Sequence, residues 1–325
     1  MKLKNIVGTL VIVVFAFASC DKISNPILPQ EQSSTLPHTK PDYTDSSATS
    51  GPNRYTQYKL LLEDCMGNQC SNCPNAVKIA DTLISATGNP SYYSHIIMME
   101  ENMGFEAQPN THIAGYPSYA FATNYTSVAG NAWCTAFGLY SIAYPVGMIN
   151  RRGWTASNPS SLDKLYPAWT DTISSIFNAS PQQTISINIH DSCWVSDHII
   201  GVAFQLHGLL PLSGGYNLVT LIVENPVVSW QEDDLVQSGY DSLYHHTNVL
   251  RGAFGNNKGG IATGAPIPDS VTTNGRTWTS WQTYDFTKGE NGNAATWNMA
   301  NCYIVAFVYN TANYEVMQAE MIKVE

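Results

Sequence analysis

Two cysteines three positions apart, Cys70 and Cys73, stand between an apolar run and an amphipathic one, and this placement constrains the fold more than any other feature of the sequence. The run Tyr58 to Leu62 suits a buried strand and leads through Glu63-Asp64-Cys65-Met66-Gly67 into Cys70-Ser71-Asn72-Cys73-Pro74. Beyond it, Ala76, Val77, Ala80, Leu83 and Ile84 recur at helical spacing, and Gly88 with Pro90 gives a stop signal. A helix N-terminus offers unpaired amide hydrogens and a partial positive charge. The first cysteine there can be a low-pKa thiolate and the second can resolve a mixed disulfide. Proline directly after Cys73 fits the first helical turn, where its missing amide hydrogen costs little.

The elements downstream extend this unit. His95 to Met99 is a second apolar strand, followed by a long Gly-, Asn- and Tyr-rich excursion to about Ser141. Tyr144 to Arg151 reads as a strand entered through Pro145. Ser161 to Asn178 reads as a helix with Leu162, Leu165, Trp169, Ile173 and Ile176 on one side and Ser161 as its cap. The order predicts an α/β unit. It resembles thioredoxin, and the resemblance implies that Pro145 is a cis-proline facing the dithiol and that Asp64 is a buried carboxylate near it. A desolvated Asp64, or its neighbour Glu63, would have a raised pKa and could exchange a proton with Cys73. The plain alternative for either carboxylate is a solvated residue at a strand end, and for the CxxC a permanent structural bridge. Gln69 stands where thioredoxins carry tryptophan. No second CxxC or HxxxH completes a zinc site, so neither a metal nor another cofactor is expected.

The first residues read as a secretion signal over 1–19, with Lys2 and Lys4 before an apolar run from Ile6 to Phe17 that is too short to span a bilayer. Phe17-Ala18-Ser19-Cys20 resembles the lipobox cut before a lipidated cysteine, so Cys20 is the expected membrane anchor; the alternative is an ordinary signal peptide cut near Ala18. Residues 20–53, rich in Ser, Thr, Pro and Gln, read as a disordered tether with a reach on the order of 30 Å. Formal net charge is −10, and removing two lysines with the signal leaves about −12. That balance disfavours nucleic acid as a partner. Without Cys20 six cysteines remain, which in an oxidising compartment favours disulfides. With Cys70 paired to Cys73, the other four still allow several connectivities. A preference for bridges within domains predicts Cys65 with Cys134 and Cys193 with Cys302.

After Gln182 the pattern changes to period two, with Ile185, Ile187 and Ile189 alternating against polar neighbours. Further strand-like runs are Ile199 to Leu206, Leu218 to Val223, Tyr303 to Tyr309 and Ala319 to Val324. The predicted fold is an α/β thioredoxin-like domain over 54–181 followed by an all-β sandwich, immunoglobulin-like or jelly-roll-like, over 182–325. Other chemistry-bearing residues have blander readings. His245, His246, Asn248 and Arg251 read as structural, Glu232-Asp233-Asp234 as a solvated turn, and Trp278, Trp281 and Tyr284 as strand packing. Gly255 to Gly260 lacks the ending of a phosphate loop, and no nucleophile elbow is present.

Glu63 through Pro74, the proline strand ending Asn150-Arg151, and His246 to Arg251 before a glycine-rich loop resemble the outer-membrane protein 28 family of Bacteroidetes lipoproteins. The resemblance covers most of the chain beyond the tether and implies the same two-domain order at the outer membrane or cell surface. Two classes of function follow. In one, Cys70 attacks and Cys73 resolves a disulfide in a protein or peptide substrate held beside Pro145. In the other, the chain is an adhesin, receptor or accessory binding protein and Cys70–Cys73 is a clip.

Overall fold

The structure, a computed structural model, describes residues 57–324 apart from 90, 114, 142–143, 154–162, 195–197, 256–263, 275, 288–289 and 291–296. The expected signal, Cys20 and the tether lie outside the described residues. Strands dominate, with few helices, and they form three sheets.

The α/β segment begins with β1 (Leu60–Met66), which is buried throughout. Helix α1 (Cys73–Leu83) follows and buries Ala76, Val77, Ala80 and Leu83, the stripe its spacing predicts. Strand β2 (Ile96–Asn102) pairs parallel with β1, and β3 (Val146–Ile149) pairs antiparallel on the other side. The excursion between β2 and β3 holds a helix that the pattern did not predict, α2 (Val128–Ala136), capped where Ser127 Oγ accepts from the Gly130 amide at 2.9 Å. A short β4 (Asp163–Leu165) and α3 (Trp169–Asn178) complete the segment. Of the helix expected over Ser161 to Asn178, Ser161 and Leu162 lie outside the described residues, and from Asp163 onward it is corrected to this shorter one. Leu165 belongs to β4 and is 58 % exposed, because Tyr166-Pro167-Ala168 turns the chain before α3 starts.

The β-rich part adds β5 (Ile185–Trp194), β6 (Ile199–Gly208), β7 (Tyr216–Glu224), β8 (Val227–Glu232), β9 (Tyr240–His246), β10 (Val249–Ala253), β11 (Ala265–Pro266), α4 (Asp269–Asn274), β12 (Thr277–Asp285), β13 (Cys302–Asn310) and β14 (Val316–Lys323). Strands from both sides of residue 182 share one sheet, in the order β14-β13-β7-β10-β2-β1-β3-β4, with β11 paired to β7. This sheet curls back on itself. The Val316 amide donates to Asn150 O at 2.8 Å and the Lys59 amide to Gln318 Oε1 at 3.1 Å, while Lys59 is ion-paired with Glu320. Strand β14 thereby returns to the start of β1.

The two faces of the curled sheet carry different cores. On one, Leu61, Cys65 and Met99 pack with Trp133 of α2 and with Leu221 and Phe307 of the β-rich part. On the other, α1 and α3 cover Leu60, Leu62, Ile96 and Met98. The second sheet, in the order β12-β6-β5, covers Leu218, Ile222, Ile304 and Ala306 with the predicted Ile185, Ile187, Ile189 face. Two sheets therefore do pack together in the β-rich part, but one of them continues into the α/β segment instead of standing apart.

The junction is a single parallel pair, Val249 with Glu100, reinforced by side chains. The Glu100 amide donates to Asn248 O at 3.0 Å, and Asn248 Nδ2 donates to Met98 O at 2.9 Å. Asn248 takes φ 53°, a left-handed turn that asparagine tolerates better than most residues. Asn248→Ala should lose about 2–3 kcal/mol of stability from the strained turn and the broken buried hydrogen bonds. Asn248→Gly should lose about 1 kcal/mol less, because it keeps the backbone freedom. Urea denaturation of the three proteins checks the order.

Candidate functional site

Strand alternation sorts the residues before the CxxC. Asp64 and Met66 share the face of β1 that carries Leu60 and Leu62, toward α1, whereas Glu63 and Cys65 share the opposite face with Leu61. The two candidate carboxylates therefore have different surroundings.

Glu63 is held by Arg151, whose Nε donates to Glu63 Oε2 at 2.9 Å, and both side chains are buried. The Arg151 guanidinium lies over three rings, 4.6 Å from Trp133, 4.9 Å from Phe307 and 5.0 Å from Phe137. Glu101 beside this pair is pushed well above the usual carboxylate range by burial and by the Glu63 charge. Glu63 is thus committed to an ion pair on the face away from the dithiol.

Asp64 is fully buried, and neither carboxylate oxygen has a hydrogen-bond partner. Burial raises its pKa well above the usual range, and the charges of Glu100, its register partner on β2, and of Asp81 on α1 add to the effect. Asp64 therefore stands, without a partner and with a raised pKa, on the sheet face that the CxxC helix covers.

Cys70 and Cys73 are bonded to each other at the start of α1. They pack with Met66 and Val77, and Tyr144 and Tyr244 lie against the cluster. The Tyr144–Pro145 peptide is cis, and the strand it enters pairs Val146 with Cys65 near the end of β1. Pro145 therefore stands at the end of β1 from which the chain runs to the dithiol. The dithiol itself is covered: Cys70 is 6 % exposed and Cys73 is 0 %.

The cover comes from β8 and β9, which form the third sheet. Gln231 Nε2 donates to Gly67 O at 3.2 Å and to Cys70 O at 2.9 Å. The Glu232 amide donates to Asn68 O and the Asp234 amide to Ser71 O, each at 2.9 Å, and Ser71 Oγ returns a bond to Asp234 Oδ2 at 3.0 Å. A second strap runs along the loop, where the Gln69 amide donates to Glu106 O at 3.0 Å and Gln69 Nε2 to Gln108 O at 2.7 Å. The acidic turn is therefore not merely solvated, since Asp233 is buried and Asp234 is tied to the CxxC loop. Nothing in the linear pattern signals this contact, which joins residues far apart in the chain.

Cys65, Cys134 and Cys302 are buried free thiols, so neither expected bridge is formed; the side chain of Cys193 lies outside the described residues. Burial pushes Cys134 up to about 11 and Cys302 up to about 12, which leaves both poor nucleophiles. His246 Nδ1 lies 3.1 Å from Glu100 Oε1, and Arg251 pairs with Glu224. Tyr284 is buried and Trp278 half-buried in the core between the sheets. Among the described residues no group of three or more His, Cys, Asp or Glu could hold a metal ion.

No protein-family profile matches the sequence, and no curated protein matches it. Among solved structures the chain is similar to HBP35 of Porphyromonas gingivalis, with a TM-score of 0.57 and 12 % identity over 82 % of this chain and 75 % of that one. At that identity the likeness is one of fold. A domain of the outer membrane lipoprotein Omp28 from Porphyromonas gingivalis aligns with a TM-score of 0.28 and 18 % identity, over 45 % of this chain and 91 % of that one.

The environment of Asp64 makes a prediction with a definite sign. A carboxyl group whose pKa is raised on folding binds more protons folded than unfolded, so it lowers stability as pH rises above its unfolded pKa. Asp64→Asn removes that penalty. It should be more stable than the parent at pH 7, with the difference shrinking toward zero as pH falls below about 4. Urea denaturation across pH checks this, and equal stability at pH 7 would contradict it.

Proposed function

We propose that this chain is an envelope lipoprotein, anchored by lipid on Cys20 at the outer membrane, whose thioredoxin-like α/β segment serves as a binding scaffold with Cys70–Cys73 as a shielded structural disulfide. The observation that carries this reading is the cover over the disulfide. Thiol–disulfide exchange needs a thiolate to reach a disulfide sulfur along an open path. Here Cys70 is 6 % exposed and its loop is bonded to Gln231, Glu232 and Asp234.

The thioredoxin-like assignment of the segment is supported by its order. Strand, CxxC, helix and parallel strand are followed by a cis-proline, an antiparallel strand and a helix, with the sheet order β2-β1-β3-β4. Anchoring is supported by the lipobox-like Phe17-Ala18-Ser19-Cys20. No helix of the described residues is long and apolar enough to cross a membrane. One observation favours the exchange reading instead: Asp64 is buried, unpartnered and raised in pKa by its burial on the dithiol side of β1, where a group that exchanges a proton with Cys73 would stand. That reading requires the β8–β9 hairpin to open.

Thiol trapping separates the two. In the native protein Cys70–Cys73 should resist glutathione, with a reduction potential below about −300 mV. Loosening the cover with Gln231→Ala and Asp234→Ala together should speed reduction by about tenfold or more, as the blocked path opens. Rapid reduction of the unaltered protein, followed by fast alkylation of Cys70 below neutral pH, would instead establish exchange.

A further inference from the structure

The outer side of the same hairpin carries an aromatic cluster that the shielding does not use. Trp230 and Tyr240 stack with ring centroids 4.9 Å apart, and Tyr116 meets Tyr240 edge-on at 5.2 Å. Tyr119 meets Trp230 at 6.2 Å, and Phe121 lies beneath, 6.2 Å from Trp230. Phe121 is buried, but Tyr116, Trp230 and Tyr240 are only half-buried and Tyr119 is 69 % exposed. Val228 and Leu243, 50 % and 71 % exposed, extend the apolar surface along the hairpin. Packing alone gives no reason to leave so much aromatic surface in water.

Charge says what would cover it. The two segments that build the cluster, residues 103–125 and 225–248, contain Glu106, Glu232, Asp233, Asp234 and Asp241 and neither lysine nor arginine. None of the ion pairs among the described residues includes one of these acids. Glu232 stands opposite Tyr240 in the hairpin register, and its charge is felt by both Tyr116 and Glu106. Aromatic faces beside unpaired carboxylates attract a cation, and the long stems of lysine and arginine can lie along apolar surface at the same time. An anionic lipid surface would be repelled, and a neutral sugar would gain nothing from the acids.

We propose that Tyr116, Tyr119, Trp230, Tyr240 and Glu232 form a docking site for a basic peptide segment, one that presents lysine or arginine. The proposal rests on the binding reading above and names its partner class, but its test does not involve the disulfide. A fluorescein-labelled peptide of alternating lysine and serine, followed by anisotropy, should bind saturably with one site per chain. Tyr119→Ala, Trp230→Ala and Glu232→Gln should each weaken binding by about fivefold or more. Asp171→Asn, which removes an equal charge from an exposed position on α3, should leave affinity within about twofold. Tyr119 is exposed enough that its variant tests the site even where Trp230→Ala impairs folding. Equal weakening by Asp171→Asn and Glu232→Gln, full binding by Tyr119→Ala, or displacement of the peptide by a neutral oligosaccharide would each overturn the proposal. Rapid thiol exchange at Cys70 with intact peptide binding would sink the shielded-disulfide reading and leave this site standing.

Discussion

The buried carboxylate of Glu100 is the point on which both halves of the molecule depend. Its oxygens accept from the Thr247 amide at 3.0 Å and from Asn102 Nδ2 at 2.7 Å, and His246 Nδ1 lies 3.1 Å away. Its own amide donates to Asn248 O. A buried carboxylate is tolerated only when its lone pairs are satisfied, so these donors must arrive together. All but Asn102 come from the end of β9 and its short link to β10. One residue on β2 thus fixes β10 beside the α/β strands and fixes the end of the hairpin that covers the disulfide.

That join has a chemical consequence on the neighbouring strand. Asp64 sits in register with Glu100, and burial, with the Glu100 charge added, raises the Asp64 pKa well above the usual range. Glu100 is supplied with donors, whereas neither Asp64 oxygen has a hydrogen-bond partner. On the opposite face Glu63 is ionically paired with Arg151, while burial and the Glu63 charge push the pKa of Glu101 well above the usual range. Removing one member of a buried pair such as Glu63–Arg151 typically costs about 3–5 kcal/mol, which makes this cluster a structural element of the core and not a reserve of reactive groups.

Local pattern revealed what local chemistry determines. The stripe of α1 and the alternation of Ile185, Ile187 and Ile189 were legible because each depends only on a repeating spacing. The cis bond before Pro145 and the burial of Asp64 were legible through likeness to a known arrangement. Leu165 misled because it continues the helical spacing upstream of α3, although Pro167 lies between and the chain turns there. Helix α2 was hidden because Gly130 and Asn131 interrupt its apolar stripe, leaving the Ser127 cap as the one local signal. The free thiols departed from an expectation built on separate domains, whereas Cys65 and Cys134 lie in a core that both parts of the chain share. The hairpin cover was not legible at all. Gln231 is an ordinary polar residue in sequence, and only the tertiary fold brings its amide to the carbonyls of Gly67 and Cys70.

Shielding of the disulfide requires the β8–β9 hairpin and the CxxC loop to form one closed unit in the native state. Amide hydrogen exchange of Glu232 and Asp234, the two backbone donors to that loop, tests this most directly. Both amides should exchange as slowly as the amides paired between β8 and β9 themselves. Exchange of Glu232 and Asp234 at the rate of an open loop, with the strand amides still protected, would contradict it.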